Sequence, residues 1–171
     1  MITHNHFYYS LLRYCDVRRE ESLIIGVLLI FPAAGEVRFL YPNNLERLQV
    51  AFPDCPIRTI QDYFEGFKNR ATTAGDKLLV VNNSIKGIAK FIADNFLAED
   101  ASALQFSEPR TGALAHNDLE LITRNFYNRY LKTYKSENIL EPSTADNIPD
   151  YFTISTTFQG PQVPRWSMTA K

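Results

Sequence analysis

The sequence predicts an α+β fold, in which an antiparallel sheet of three to five strands packs against three or four amphipathic helices. The first observation is an N-terminal meander of three strand-like apolar segments separated by short turns. The second is a series of later segments with apolar residues at helical spacing. The chain has 171 residues, of which 45% are hydrophobic and 13% aromatic, so it can form a packed core.

The meander comprises residues 7–14, 23–31 and 36–41. The first segment, "FYYSLLRY", alternates two sets of side chains, as a strand does. The second, "LIIGVLLIF", is apolar almost throughout, which is typical of a central strand covered on both faces. Pro32 and Gly35 interrupt the pattern, and "EVRFLY" then resumes the alternation of a third strand.

Three helices are predicted next, in "NNLERLQVAF", "DCPIRTIQDYFEGFKNR" and "SIKGIAKFIADNFLAED". Asn43 or Asn44 would cap the first helix, and Pro56 fits the first turn of the second. The intervening "KLLVV" fits either a strand or a first helical turn. "ASALQFSEP" predicts a fourth strand and "RTGALAH" a loop. Asn117 and Glu120 have the spacing of a capping box, which predicts a long final helix.

The composition changes after Lys135, which predicts a core domain over residues 1–135 and a C-terminal extension over residues 136–171. In the extension, "DYFTISTTF" alternates like an edge strand, and a proline-containing tail follows. An alternating segment can add to the exposed sheet edge of a partner or of a second copy. The candidate partner-binding residues of the extension are Tyr151, Phe152, Phe158 and Trp166.

Charge and length restrict the classes of partner. The net charge is -1, so the chain lacks the overall positive excess that favours sequence-independent binding to nucleic acid or anionic lipid. No apolar run is long enough to cross a membrane, and the start "MITHNHFYYS" does not resemble a secretory signal. We therefore expect a cytoplasmic protein with a protein partner or self-association, no membrane contact, and nucleic acid as a less favoured ligand.

The motif content lowers the expectation of an enzyme. The sequence contains no GxGxxG, GxxxxGK[ST], GxSxG or HExxH pattern, and we assign no catalytic residue. Cys15 and Cys55 are too far apart for a CxxC motif, and each lies beside apolar residues. The sequence therefore predicts buried or half-buried thiols, no metal site and no cofactor.

A group of charged residues, "DVRREE", separates the first two strands. One interpretation is a solvated hairpin tip, whose charges discourage pairing between sheet edges. The other is a site in which Arg13, Arg19 and Glu21 converge at one end of the sheet with Arg110. There the guanidinium groups could hold a phosphate or the carboxylates of a partner. In either case we expect Arg13 and Glu21 to be neighbours across the hairpin.

The segment "YSLLRYCDVRREESLIIGVLLIF" resembles the opening of the bacterial family catalogued as domain of unknown function 3037. Arg13-Tyr14 matches the Arg-Tyr of that family, Arg19 and Glu21 match its Arg-x-Glu, and Gly26-Val27 match its Gly-Val. The turn is shorter than the proline-bearing turn of the family, and Ile24 replaces the usual asparagine.

The later segment "LQFSEPRTGALAHNDLELITRNFYNRYL" is also similar to that family, so the resemblance covers residues 7–134. The resemblance implies no defined activity. Genes of the family often lie beside HipA-like kinases, which implies an accessory or antitoxin-like partner of such a kinase or of a defence system. We thus expect a non-catalytic interaction subunit of a bacterial complex. The alternative is a protein that binds or processes phosphate or nucleic acid through the Arg/Glu residues.

Overall fold

The computed structural model describes residues 6–16, 18–97, 103–114 and 118–132. The strands are β1 (His6–Asp16), β2 (Glu21–Phe31), β3 (Glu36–Leu40), β4 (Leu104–Phe106) and β5 (Arg110–Ala113). The helices are α1 (Glu46–Ala51), α2 (Ile57–Thr73), α3 (Gly75–Leu78), α4 (Ile85–Asn95) and α5 (Leu119–Tyr130). The predicted C-terminal extension and its boundary at residue 135 lie outside the described residues.

The strands form one antiparallel sheet in the order β3-β2-β1-β4. Strand β5 pairs with β1 on the same side as β4, so these two short strands together line one edge of β1. The first three strands form the predicted meander, and the predicted α+β fold is confirmed.

Apolar side chains cover both faces of the sheet, as predicted for β2. On one face, Leu12, Leu28 and Ile30 belong to a core that includes residues of α2 and α4. On the other face, Val27 and Leu29 belong to a second core to which α5 contributes. Both faces of β2 are therefore excluded from water, which explains its continuous apolar sequence.

A β-bulge lies in the β1–β2 hairpin. Leu12 pairs with Gly26, whereas Arg13 pairs with Ile24, so Ile25 is an extra residue on β2. Gly26 lies directly beneath the ring of Phe39, because a Cβ atom at this position would be 2.9 Å from its Cζ atom. Because Gly26 has no side chain, the ring of Phe39 can pack closely over the bulge.

Strand β5 occupies Arg110–Ala113, the first four residues of "RTGALAH", so the predicted loop is wrong for these residues. The strand depends on backbone pairing with β1, which needs no alternation of apolar residues. Gly112 leaves space for the ring of Phe7, since a Cβ atom at position 112 would clash with this ring. Between β4 and β5, the buried Ser10 hydroxyl donates to the backbone oxygen of Ser107 at 2.6 Å, which keeps the connection next to β1.

The helix ends agree with the predictions in part. The N-cap of α1 is Leu45, not Asn43 or Asn44, although the Asn44 side chain accepts a hydrogen bond from the backbone N–H of Glu46 at 2.7 Å. At α5 the N-cap is Asp118, whose carboxylate accepts from the N–H of Leu121, whereas Asn117 lies outside the described residues. In the described ranges, no helix is both long enough and apolar enough to cross a bilayer.

Candidate functional site

Arg13 and Glu21 lie on opposite faces of the sheet. Arg13 pairs with Ile24, and Glu21 pairs with Asp16. Residues paired across an antiparallel hairpin share a face, and successive residues of a strand alternate between faces. Arg13 and Asp16 are three positions apart, so their side chains point to different faces. The prediction that Arg13 and Glu21 are neighbours is therefore wrong.

The bulge at Ile25 is the physical reason for this difference. A regular hairpin would continue the register from Leu12 without interruption and would place Glu21 on the same face as Arg13. The extra residue shifts the pairing by one position. A shift of one position exchanges the two faces for every side chain of β2 between the turn and the bulge.

Arg19 and Arg110 also lie apart from Arg13. Arg19 turns toward α1, where its Nη1 atom donates to the backbone oxygen of Ala51 at 3.4 Å. Its Nε atom is 3.7 Å from a carboxylate oxygen of Asp16. Arg110 pairs with Tyr9, which lies on the same face of β1 as Arg13, four residues and roughly 13 Å away at the usual strand rise. The structure does not bring the four residues together, and their role in binding stays a prediction.

A cavity of about 290 Å³, here called the hairpin cleft, lies at the end of the β1–β2 hairpin. Its polar lining residues are Tyr14, Cys15, Asp16, Arg18, Arg19, Asp54 and Cys55. The two arginines face two aspartates, so the cleft has no excess of either charge. Burial raises the pKa of the Cys55 thiol, and the adjacent hydroxyl of Tyr14 opposes this shift only in part. Cys55 is therefore a thiol at neutral pH, not a reactive thiolate.

Neither Cys15 nor Cys55 is in a disulfide bond. Cys55 is buried and Cys15 is half-buried, as predicted. In the described residues, no three or more histidine, cysteine, aspartate or glutamate side chains form a group that could hold a metal ion.

A second candidate site, here called the tyrosine–arginine cluster, consists of Tyr9, Arg110, Phe126, Arg129 and Tyr130. Tyr9 of β1 pairs with Arg110 of β5 across the sheet. The ring centroids of Tyr9 and Phe126 are 4.8 Å apart, and those of Phe126 and Tyr130 are 5.8 Å apart. The Cζ atom of Arg129 lies 5.7 Å from the ring centroid of Tyr130. Three aromatic rings therefore pack in a continuous row, with the Arg129 guanidinium beside Tyr130 and Arg110 on the strand next to Tyr9.

The Tyr130 hydroxyl is subject to opposing influences on its pKa from burial and from the other groups of the cluster. Burial and the neighbouring Tyr9 hydroxyl raise the pKa of Tyr130, whereas the positive charges of Arg129 and Arg110 lower it. Both arginines therefore act on the same phenol. Among the described residues, neither of them forms an ion pair, whereas Arg38 pairs with both Glu36 and Glu120.

Sequence reasoning identified Arg110 as a site residue, but it predicted the last helix without naming Phe126 or Tyr130 as part of a site. It did not single out Tyr9 or Arg129. One signal was available, since the positions three and four residues from Arg129 on either side carry no acidic residue. A helical arginine without such a partner is left to interact outside its own helix.

The described residues thus define the class of the protein: an α+β domain with helices on both faces of a five-stranded antiparallel sheet. A family model described as "Protein of unknown function (DUF3037)" matches residues 9–130. The chain therefore belongs to this family, which confirms the resemblance seen at the Arg13-Tyr14 and Gly26-Val27 motifs. No curated protein and no solved structure matches the chain.

Proposed function

We propose that this chain is a non-catalytic protein–protein interaction subunit of a bacterial complex. The observation that carries this proposal is the tyrosine–arginine cluster. Tyrosine and arginine are the residue types that contribute most often to the binding energy of protein interfaces. In the cluster, half-buried rings already pack against one another, so a partner would bind without ordering them further.

The partner and location that we propose rest on the resemblance to the family. The partner is a HipA-like kinase or a component of a defence system, and the complex is cytoplasmic. The alternating segment of the extension, with Tyr151, Phe152, Phe158 and Trp166, would supply a second contact by adding to a sheet edge of the partner.

The alternative, a protein that binds or processes phosphate or nucleic acid, has less support. That function requires Arg13, Arg19 and Arg110 to act on one ligand. Arg19 lies in the turn and contacts Ala51 of α1, whereas Arg110 pairs with Tyr9, roughly 13 Å along β1 from Arg13.

Affinity purification of the full-length protein from its native host tests the proposal. The test variants are Arg129→Ala, which removes an exposed side chain, and Tyr130→Ala, which removes a half-buried one. The matched controls are Arg58→Ala and Tyr63→Ala, both exposed residues of α2 on the other face of the sheet. Circular dichroism and thermal unfolding verify that each variant is folded.

We expect a stoichiometric partner to co-purify with the wild type and with both controls. We expect its recovery to fall about tenfold with each test variant, as loss of a central interface side chain predicts. Recovery that is equal for all variants, or no stoichiometric partner in the wild type, would contradict the proposed function.

A further inference from the structure

We infer that the tyrosine–arginine cluster binds the carboxylates of an acidic segment of the protein partner. This inference rests on the proposed function and adds the chemistry of the surface that the cluster recognises. The argument depends on the charges around the cluster, the donors within it and the open shape of its surface.

The surface around the cluster is positively charged. Arg110, Arg129 and Lys132 are all exposed. The acidic residues of α5 and its cap are confined to the N-terminal end of the helix, where Glu120 pairs with Arg38. Glu108 precedes β5, but in the described residues it forms no ion pair with either arginine of the cluster. The C-terminal half of α5 and the start of β5 therefore attract a negatively charged partner.

The donors of the cluster suit a carboxylate. Each guanidinium group can donate two parallel N–H bonds to one carboxylate. The hydroxyls of Tyr9 and Tyr130, which belong to the same cluster, can donate hydrogen bonds as well. The rings of Tyr9, Phe126 and Tyr130 form an apolar floor, which lowers the local dielectric constant and strengthens hydrogen bonds to a bound anion.

The open surface favours an acidic protein segment over a small free anion. Arg110 and Arg129 are exposed, and the hairpin cleft includes no residue of the cluster. A small anion on an open surface stays hydrated, and its interaction with arginine is then weak. A protein partner surrounds its own carboxylates with neighbouring side chains that exclude water, which strengthens the same contacts.

An NMR titration of the isotope-labelled full-length protein tests this inference directly. The probe is a short glutamate-rich peptide, and the matched probe carries glutamine at the same positions. The reporters are the side-chain Nε–Hε signals of Arg110 and Arg129 and the ring signals of Tyr130. The double variant Arg110→Gln/Arg129→Gln removes both guanidinium groups. The control variant Arg58→Gln/Lys68→Gln removes two exposed cations of α2.

We expect a saturable shift of the reporters with the glutamate peptide and none with the glutamine peptide. We expect the double variant to bind the glutamate peptide about tenfold more weakly, and the control to bind within about twofold of the wild type. Added salt should weaken binding, because the contact is between opposite charges.

Equal shifts with the glutamine peptide would overturn the inference. So would an unchanged affinity of the double variant. If inorganic phosphate shifts the same reporter signals and binds as tightly as the peptide, the cluster is a small-anion site and not a protein-docking site.

The titration needs only the purified chain, so its result separates the two proposals. If the acidic peptide binds in the titration but no host partner co-purifies, the proposed function is contradicted and the inference is not. A host partner that requires the rings, combined with no response to the acidic peptide, counts against the inference alone.

Discussion

Arg38 of β3 and Glu120 in the first turn of α5 form an ion pair, with 2.8 Å between the Nη1 and Oε1 atoms. The same Nη1 atom donates to the Oγ1 atom of Thr123 at 2.9 Å, and the Nε atom donates to Glu36 at 2.6 Å. Only 21% of the Arg38 side chain is exposed. Arg38 therefore connects the edge strand β3 to α5, the helix that also carries Phe126, Arg129 and Tyr130.

We predict that Arg38→Gln lowers the free energy of unfolding by about 1–2 kcal/mol, because it removes a half-buried guanidinium with three hydrogen-bonded partners. Hydrogen exchange should accelerate more in α5 than in α2, because α5 also loses a local contact while α2 follows only the change in global stability. Arg58→Gln, which removes an exposed arginine of α2, should change neither the free energy of unfolding nor the exchange rates. Equal acceleration in α5 and α2 would show that Arg38 supports the whole fold and not α5 in particular.

The second prediction concerns Glu20, whose φ angle of 55° lies in the left-handed region. This backbone conformation strains a residue with a Cβ atom and is free of strain for glycine. We predict that Glu20→Gly raises the free energy of unfolding by about 0.5–1 kcal/mol in urea denaturation. Arg18→Gly is the control, because Arg18 lies in the same turn without a positive φ angle, and it should not stabilise the protein.

The third prediction concerns the contact between Gly26 and Phe39 at the bulge. A methyl group at position 26 would press against the ring of Phe39, so Gly26→Ala should destabilise the protein by about 1–3 kcal/mol. Phe39→Leu shortens the side chain that opposes the new methyl group. In a double-mutant cycle, Gly26→Ala should therefore cost less in the Phe39→Leu background. Additive effects would mean that another neighbour, such as Leu12, determines the cost.

The fourth prediction is a dependence of stability on alkaline pH through Tyr41. Burial, followed by the hydrogen bond and the negative charge of Glu65, raises the pKa of Tyr41 from 10.0 to about 12. The hydroxyl donates to Glu65 at 2.7 Å, so the fold favours the neutral phenol. The stabilisation of the fold by the neutral Tyr41 hydroxyl is complete below pH 10.0, the pKa in the unfolded state. It is lost as the pH rises toward about 12, the pKa in the folded state.

We expect Tyr41→Phe to cost about 1 kcal/mol at neutral pH and less at pH about 11, as measured by urea denaturation. Glu65→Gln should reduce the alkaline loss in part, because it removes the negative charge next to the phenol. If the wild type and Tyr41→Phe lose the same stability between the two pH values, Tyr41 is not the group that titrates.

The fifth prediction concerns the extension. Its aromatic residues form too large an apolar surface to stay in water without cost, so deletion from Ser136 should weaken self-association or partner binding and leave a folded core. Light scattering with and without the partner measures the assembly, and thermal unfolding measures the core. An unchanged assembly and affinity would contradict the prediction, and a truncated chain that fails to fold would show that the extension belongs to the core.

The periodicity of apolar residues predicted the elements that face the core. Ile60, Phe64 and Phe67 recur at helical spacing, and all three are buried in α2. The continuous apolar run of β2 predicted a strand covered on both faces, as observed. These predictions succeeded because burial of one helical stripe or of two strand faces leaves a direct pattern in the order of the residues.

Strand β5 and the bulge at Ile25 leave no comparable pattern. The backbone of an edge strand bonds to its neighbour regardless of side chain, so Arg110–Ala113 resembled a loop in the sequence. The bulge depends on how Gly26, Phe39 and Leu12 pack together, and these residues come from three different strands. An error of one position in register then changed the face of every side chain between the bulge and the turn.

The sequence by itself determined the α+β class, the meander, the amphipathic helices and the family, because these depend on the order of residues within short segments and on family motifs. Only the tertiary structure decided which charged residues are neighbours. Arg13 and Glu21 are close in sequence but lie on opposite faces of the sheet. Tyr9 and Arg129 are far apart in sequence, yet both contribute to one surface. Strand register and the packing of α5 across the sheet set these relationships, and both arise from contacts between distant segments of the chain.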